Sequence, residues 1–189
     1  HKSDSPDSDN KIRFVGIRFW VVSERSDVTQ GENMSSEIPC KERWYDDFSI
    51  GESFVLGSVE MVETEMINFA TQFDPQPFHI DPKAAVDTIF GGLVASGCHT
   101  LSLMMKLNTE HFLGKNALGS PGIRELSWPV PARAGDVLTL EVQILDMRVS
   151  NSRPNLGLIE VNYDMTNQNG DLSLKAISTI MFAKKSTSN

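Results

Sequence analysis

The sequence has few cysteines, no long apolar run and no excess of basic residues, and each shortage excludes a class of protein. Its two cysteines, Cys40 and Cys98, form no CxxC motif and no Cys/His cluster, so we expect neither a disulfide framework nor a metal site. The low cysteine content also predicts a cytoplasmic location. The apolar run at residues 12–22 is much shorter than the roughly 20 residues that are needed to span a bilayer. A formal net charge of -8 argues against nucleic acid or an anionic membrane as a partner.

Length and composition indicate one globular domain. The chain has 189 residues, 40% of them hydrophobic and 22% charged, which is enough for one core and too little for two. We interpret residues 1–42 as an N-terminal extension that is partly disordered or non-native, and residues 43–185 as the domain. Met34 is a plausible natural start, so residues 1–33 are predicted to lie outside the domain. No G-x-G-x-x-G or GK[ST] phosphate loop occurs, which leaves nucleotide chemistry of the usual kinds unsupported.

Hydrophobic periodicity predicts an α+β protein. A helix that is apolar on nearly all sides, and therefore buried, is expected to open around Gly97 and to run to about Leu113, with Cys98 as a small buried side chain. A second helix is expected from Thr64 to about Phe73, ahead of the candidate site. Strands are predicted at 54–62, 123–128, 136–149, 156–166 and 172–183, with a hairpin turn at Asn169-Gly170. Such a sheet leaves an edge that a second subunit could pair with.

The stretch from Asp74 to Gly97 holds the residues with the clearest chemical roles. Pro75 and Pro77 predict a stiff, extended loop that presents Asp74 and His79 in a fixed relation. A carboxylate and an imidazole held together can share a water molecule and move its protons. Taken alone, however, this pair also fits a solvated loop with an incidental histidine.

The residues that follow add a hydrogen-bond donor. Asp81-Pro82 has the form of an N-cap and first helical residue, which predicts a short helix ending near Phe90. Gly97 at the start of the next helix has a backbone N–H with no side chain beside it, a suitable donor to a carbonyl oxygen.

The pattern D-x-x-P-x-H-x-D-P followed by F-G-G-L-V-A-S-G resembles the MaoC-like dehydratase family, which includes the (R)-specific enoyl-CoA hydratases. The resemblance extends from about Trp44 to Ala183. It implies a hot-dog fold, in which an antiparallel sheet wraps a long central helix. It also implies that Asp74 and His79 are the catalytic pair and that the Gly97 N–H binds the thioester carbonyl.

The expected substrate-binding residues are Phe90, Gly92, Ser102 and Met105. Gln76 stands where the family often has asparagine, and Met105 stands where some members have a serine. Ser102 could face the acyl group in place of that serine, or its hydroxyl could bond to a carbonyl one turn earlier.

The leading interpretation is a hydro-lyase that reversibly hydrates a 2-enoyl thioester, 2-enoyl-CoA, to (R)-3-hydroxyacyl-CoA. It would need no metal and no cofactor other than the coenzyme A of its substrate, and it would act as a homodimer or higher oligomer. The phosphates of coenzyme A would need local cations, for which the candidates are Arg124, Arg133, Lys106 and Arg153. The alternatives are a hot-dog acyl-CoA thioesterase and a non-catalytic protein that binds acyl thioesters.

Overall fold

The computed structural model describes residues 38–186, which form one sheet with helices on one of its faces. Two 3₁₀ turns, Cys40–Glu42 and Tyr45–Asp47, come first. The strands are β1 (Ser53–Glu60), β2 (Ala117–Ser127), β3 (Val137–Val149), β4 (Leu156–Thr166) and β5 (Leu172–Ala183). The helices are α1 (Glu63–Phe73), α2 (Pro77–Ile80), α3 (Pro82–Val86) and α4 (Gly97–His111).

The five described strands pair antiparallel in the order β1-β3-β4-β5-β2, so that β1 and β2 form the two edges. The predicted turn joins β4 to β5, where Gly170 adopts a φ of 85° that favours glycine. Residues along β2 are largely exposed, which is consistent with an edge strand.

The core lies between this sheet and α4. Alternate side chains of β3 and β4, such as Val142 and Val161, are fully buried, and they pack with Met104 and Leu107 of the helix in one cluster. Burying a large apolar side chain contributes about 1.5–3 kcal/mol, so this cluster supplies the main driving force for folding. A sheet wrapped around a central helix confirms the predicted hot-dog fold.

Helix α4 is amphipathic, which corrects the prediction of a helix buried on nearly all sides. Cys98, Ser102, Met105 and Thr109 are exposed, and their spacing of four, three and four residues places them on one stripe of the helix. Cys98 is therefore not the buried side chain that we predicted. The stripe points away from the sheet, since the buried residues of α4 occupy the opposite face.

The predicted extension at residues 1–42 lies almost entirely outside the described residues, which begin at position 38, and it stays a prediction. None of the helices within residues 38–186 is both long and apolar enough to cross a membrane.

Candidate active site

Asp74 and His79 are brought together by a single turn of helix. The prediction of an extended loop between them is wrong for the C-terminal part of the segment, because Pro77–Ile80 form α2. Pro77 occupies the first helical position, where its missing N–H has no cost, and His79 N donates to Gln76 O at 2.8 Å. The turn carries the imidazole back toward α1, so that His79 Nε2 lies 3.3 Å from Asp74 Oδ2.

The His79 ring is held by the backbone in one tautomer. The side chain is buried, and its Nδ1 lies 2.8 Å from Val94 O. A carbonyl oxygen can only accept, so Nδ1 carries the hydrogen of this bond. When the ring is neutral, Nε2 therefore carries the lone pair, and it faces the carboxylate of Asp74.

The Asp74 carboxylate is fixed through both oxygens. Oδ1 accepts a hydrogen bond from Gln76 Nε2 at 2.7 Å, and Oδ2 accepts one from Ser96 Oγ at 2.7 Å. These two bonds, with a smaller contribution from His79, hold the pKa of Asp74 below its ordinary value. The group is therefore ionised at neutral pH and can accept a proton.

Ser96 is a residue that the sequence analysis missed. It is the N-cap of α4, fully buried, and its Oγ accepts from Cys98 N at 3.2 Å while donating to Asp74. One hydroxyl thus connects the carboxylate to the helix whose first amide is the proposed carbonyl donor. A serine directly before a predicted helix start is a typical N-cap, and this signal was available in the sequence.

Gly97 opens α4 with an unused donor. Within residues 38–186 its N–H makes no hydrogen bond. The indole of Trp128 packs so closely on this residue that a Cβ at position 97 would lie 2.7 Å from Trp128 Cε2. The ring is held in place because Trp128 Nε1 donates to Thr100 Oγ1 at 3.0 Å.

These groups line one cavity of about 510 Å³, the size of a small-molecule site. Its wall includes Asp74, His79, Gly97, Phe90 and Trp128. The structure thus brings the three predicted catalytic residues together with Phe90, one of the four predicted substrate-binding residues.

The other three predicted substrate-binding residues do not line this cavity. Ser102 is exposed and its Oγ donates to Cys98 O at 2.8 Å, the alternative that the sequence left open. It lies roughly 140° around α4 from Gly97, since each residue turns the helix by about 100°. Met105 lies about 12 Å from Gly97 along the helix axis and borders a different cavity. Gly92 sits beside Arg133, whose Nη1 would be 3.5 Å from a Cβ there.

Two side chains near the site have other roles. Arg133 Nη2 donates to Phe90 O at 2.6 Å, which places this cation beside the cavity wall. His99 is buried and stacks on Phe69 with ring centroids 4.7 Å apart, and its burial lowers its pKa. It is thus a packing residue. Within residues 38–186 no group of three or more His, Cys, Asp or Glu side chains could hold a metal ion.

Comparison with known proteins adds the family. A family model described as the MaoC like domain matches residues 47–167. The chain belongs to the MaoC-like domain family. This finding confirms the resemblance inferred from the motif at Asp74 to Gly97.

Several relatives are known for this MaoC-like chain. It is 34% identical to a MaoC-like dehydratase from Rhodospirillum rubrum, with a TM-score of 0.72 over 76% of this chain and 99% of that one. It is 32% identical over 124 residues to the uncharacterized protein YdeM of Bacillus subtilis (strain 168), which is 65% of this chain and 86% of the relative. It is 25% identical to the (R)-hydratase from A. caviae involved in PHA biosynthesis, with a TM-score of 0.58 over 70% of this chain and 96% of that one. Family and relatives together support hydratase or dehydratase chemistry.

Proposed function

We propose that this MaoC-like protein reversibly adds water to the double bond of a 2-enoyl thioester, with 2-enoyl-CoA and (R)-3-hydroxyacyl-CoA as the two sides of the reaction. The observation that carries the proposal is the carboxylate and imidazole 3.3 Å apart in the same cavity as the unused Gly97 amide. The (R) configuration is carried over from the A. caviae relative.

Gly97 polarises the substrate in this proposal. Its N–H donates to the thioester carbonyl oxygen and stabilises the negative charge that develops there as water attacks C3. Phe90 and Trp128 give the cavity apolar walls, and a less polar surrounding strengthens the interaction of this donor with the developing charge.

The pair of Asp74 and His79 handles the water. With His79 neutral, Oδ2 and Nε2 are both acceptors, so one water can donate a hydrogen to each and direct its oxygen lone pair at C3. As the C3–O bond forms, the pair takes one proton from the water, and C2 then receives a proton from the pair. The proton is shared by two coupled groups, and which of them takes it first is left open.

The remaining predictions fit this function without being tested by the geometry. Among the candidate cations for a coenzyme A phosphate, Arg133 lies beside the cavity wall, whereas Arg124 forms ion pairs with Glu125 and Glu160 and Lys106 pairs with Glu110. Coenzyme A carried by the substrate is the only cofactor proposed. Pairing of two subunits and a cytoplasmic location also stay predictions.

A direct test is incubation of the protein with crotonyl-CoA. We expect the absorbance of the conjugated double bond to fall, no free thiol to appear, and (R)-3-hydroxybutyryl-CoA to be recovered. Release of free coenzyme A would instead indicate a thioesterase. Saturable binding of the thioester with neither change would indicate a non-catalytic protein.

Replacement of Ser96 by alanine should move the acid limb of the pH–rate profile to higher pH. Asp74 acts as a carboxylate, so activity is lost as the pH falls through its pKa, and loss of the Ser96 hydrogen bond raises that pKa. The measurement is kcat/KM for crotonyl-CoA as a function of pH.

Ser96→Thr is the matched control, since it keeps the hydroxyl and should keep the acid limb in place. Ser96→Ala also removes a helix cap worth about 1 kcal/mol, and a merely structural effect would lower the melting temperature without moving the limb. An unmoved limb in the alanine variant would refute the positioning role.

A further inference from the structure

A buried hydroxyl on β5 lines the candidate active site and has no partner. Ser173 is 1% exposed and lines the same cavity as Asp74, His79 and Gly97. Within residues 38–186 its Oγ makes no hydrogen bond, and it is the one buried side-chain atom without a partner that belongs to this cavity wall. Leaving a buried hydroxyl unpaired costs free energy, so Ser173 indicates an interaction that this part of the chain does not complete.

The local register of the sheet explains the direction of this side chain. Leu174 is fully buried in the core, so strict alternation would place Ser173 on the opposite face of the sheet. The pairing shifts at this point, because Met165 of β4 pairs with Leu174 whereas Thr166 pairs with Leu172. One extra residue of β5, Ser173, lies between these two pairs. Such a β-bulge re-aims a side chain, and bulges are frequent next to active sites.

The loop after β2 connects this bulge to the start of α4. Val130 N donates at 3.1 Å to the carbonyl oxygen of the residue before Ser173, and Ala95 N donates to Ala132 O at 2.9 Å. Val130, Ala95 and Ala132 all line the cavity. The loop therefore lies between the beginning of β5 and the residues that lead into Gly97, and a single ligand can contact both sides of it.

The hydroxyl of Ser173 is available as a donor, unlike the other buried donors of this wall. Thr100, the other hydroxyl that lines the cavity, donates to Gly97 O at 2.8 Å and accepts from Trp128 Nε1 at 3.0 Å. The Nδ1 hydrogen of His79 is bonded to the backbone. A ligand oxygen in the cavity can therefore accept a hydrogen bond from Ser173.

The ligand group that suits this hydroxyl is a neutral acceptor. Asp74 is the only Asp, Glu, Lys or Arg among the residues that line the cavity, and its negative charge would repel a second anion. A carbonyl oxygen is neutral and accepts hydrogen bonds. An acyl-CoA offers such oxygens in its thioester and in the amides of its coenzyme A arm.

We propose that Ser173 is a substrate-binding residue of this site, and that its hydroxyl donates a hydrogen bond to a carbonyl oxygen of the acyl-CoA. The assignment rests on the proposed function for the identity of the ligand. It adds the start of β5 to the loop and the helix that already form the site.

The test measures binding of butyryl-CoA, a saturated thioester with no double bond to hydrate, by calorimetric titration of the full chain. Ser173→Ala should weaken binding by roughly threefold to tenfold, since it removes one hydrogen bond. Ser173→Cys keeps the shape of the side chain with a weaker donor, so its affinity should be intermediate. Unchanged affinity in Ser173→Ala, or no saturable binding of butyryl-CoA by the unaltered protein, would overturn the proposal.

A thioether ligand, S-butyl-coenzyme A, identifies the oxygen that is bound. It differs from butyryl-CoA only in lacking the thioester carbonyl oxygen. If Ser173 donates to that oxygen, Ser173→Ala weakens binding of butyryl-CoA and leaves binding of the thioether unchanged. Equal weakening of both ligands assigns the hydrogen bond to an amide carbonyl of coenzyme A. Weaker binding of the thioether alone would contradict both assignments and overturn the proposal.

The stability of the ligand-free protein separates recognition from a structural role. A buried hydroxyl without a partner does not stabilise the fold, so Ser173→Ala should keep or raise the melting temperature. Ser58→Ala is the matched control, because Ser58 Oγ lies 2.8 Å from Thr139 Oγ1 and Ser58 does not line the cavity. It should lower the melting temperature and leave butyryl-CoA affinity unchanged. An equal fall in melting temperature in Ser173→Ala would show that its hydroxyl has a partner within the protein, and would overturn the proposal.

This result is distinguishable from the outcome for hydration. If crotonyl-CoA is not hydrated but Ser173→Ala weakens butyryl-CoA binding, the role of Ser173 stands and the proposed hydration fails. If crotonyl-CoA is hydrated and Ser173→Ala binds butyryl-CoA as the unaltered protein does, the role of Ser173 fails and the proposed hydration stands.

Discussion

An Asp74→Asn protein should lose crotonyl-CoA hydration by roughly 100- to 10,000-fold while keeping its fold. Asparagine has the shape of aspartate, and its Oδ1 can still accept the hydrogen bond from Ser96 Oγ. It cannot hold a proton taken from water, however, so the chemical step loses its base or the partner of its base. The measurement is kcat on crotonyl-CoA, with the melting temperature determined on the same samples.

His79→Asn is the matched change on the other side of the pair. Its amide nitrogen can take the place of Nδ1 and keep the hydrogen bond to Val94 O, while the Nε2 that faces Asp74 is removed. We expect a loss of similar size. Because the two groups act on the same proton, the double variant should be little slower than either single variant.

Asp81→Asn is the control for removing a carboxylate from the same segment. Asp81 caps α3 through hydrogen bonds from Lys83 N and Ala84 N and does not line the candidate active site. Asparagine caps helices about equally well, so turnover should be unchanged. Turnover within tenfold of the unaltered protein in Asp74→Asn or His79→Asn would show that the pair does not carry the chemistry.

The strands were the most predictable part of the fold. β4 and β5 begin and end at the residues predicted. In β4 the apolar residues Ile159, Val161, Tyr163 and Met165 alternate with polar ones, and this period of two is visible in the sequence. β2 begins six residues earlier than predicted, at Ala117 rather than Ile123. Gly119 and Gly122 are typical of a turn in the local sequence. In the structure they have φ of 111° and 150° and belong to an irregular strand, because this segment pairs with β5.

The candidate site was predictable only where its residues share one stretch of sequence. Asp74, His79 and Gly97 follow from the local motif and line one cavity. Contacts between distant parts of the chain could not be predicted in this way, because Trp128, the residue after β2, packs on Gly97 31 positions away and no local pattern predicts that contact. Ser102 and Met105 do not line the cavity of Asp74 and His79, because the sequence shows that a helix is present more reliably than it shows which side of the helix faces a given cavity.

Gly97→Ala is expected to have the second large effect, a loss of roughly 100-fold or more in kcat/KM. A Cβ at this position would lie 2.7 Å from Cε2, 3.0 Å from Cζ2 and 3.1 Å from Cδ2 of Trp128. The indole or the start of α4 must move, and either movement displaces the amide donor from the thioester carbonyl. A change in tryptophan fluorescence should accompany the loss, since the new methyl group would overlap with the indole ring of Trp128.

A second substitution separates this steric effect from a general loss of stability. In Gly97→Ala/Trp128→Leu the ring is gone, so the new methyl group has room and part of the lost kcat/KM should return relative to Gly97→Ala alone. Trp128→Leu by itself supplies the baseline for that comparison, and Ser102→Ala, an exposed change on the same helix, should leave turnover unaltered. Full activity in folded Gly97→Ala protein would mean that the amide tolerates displacement, and the carbonyl would then have to be bound by another donor.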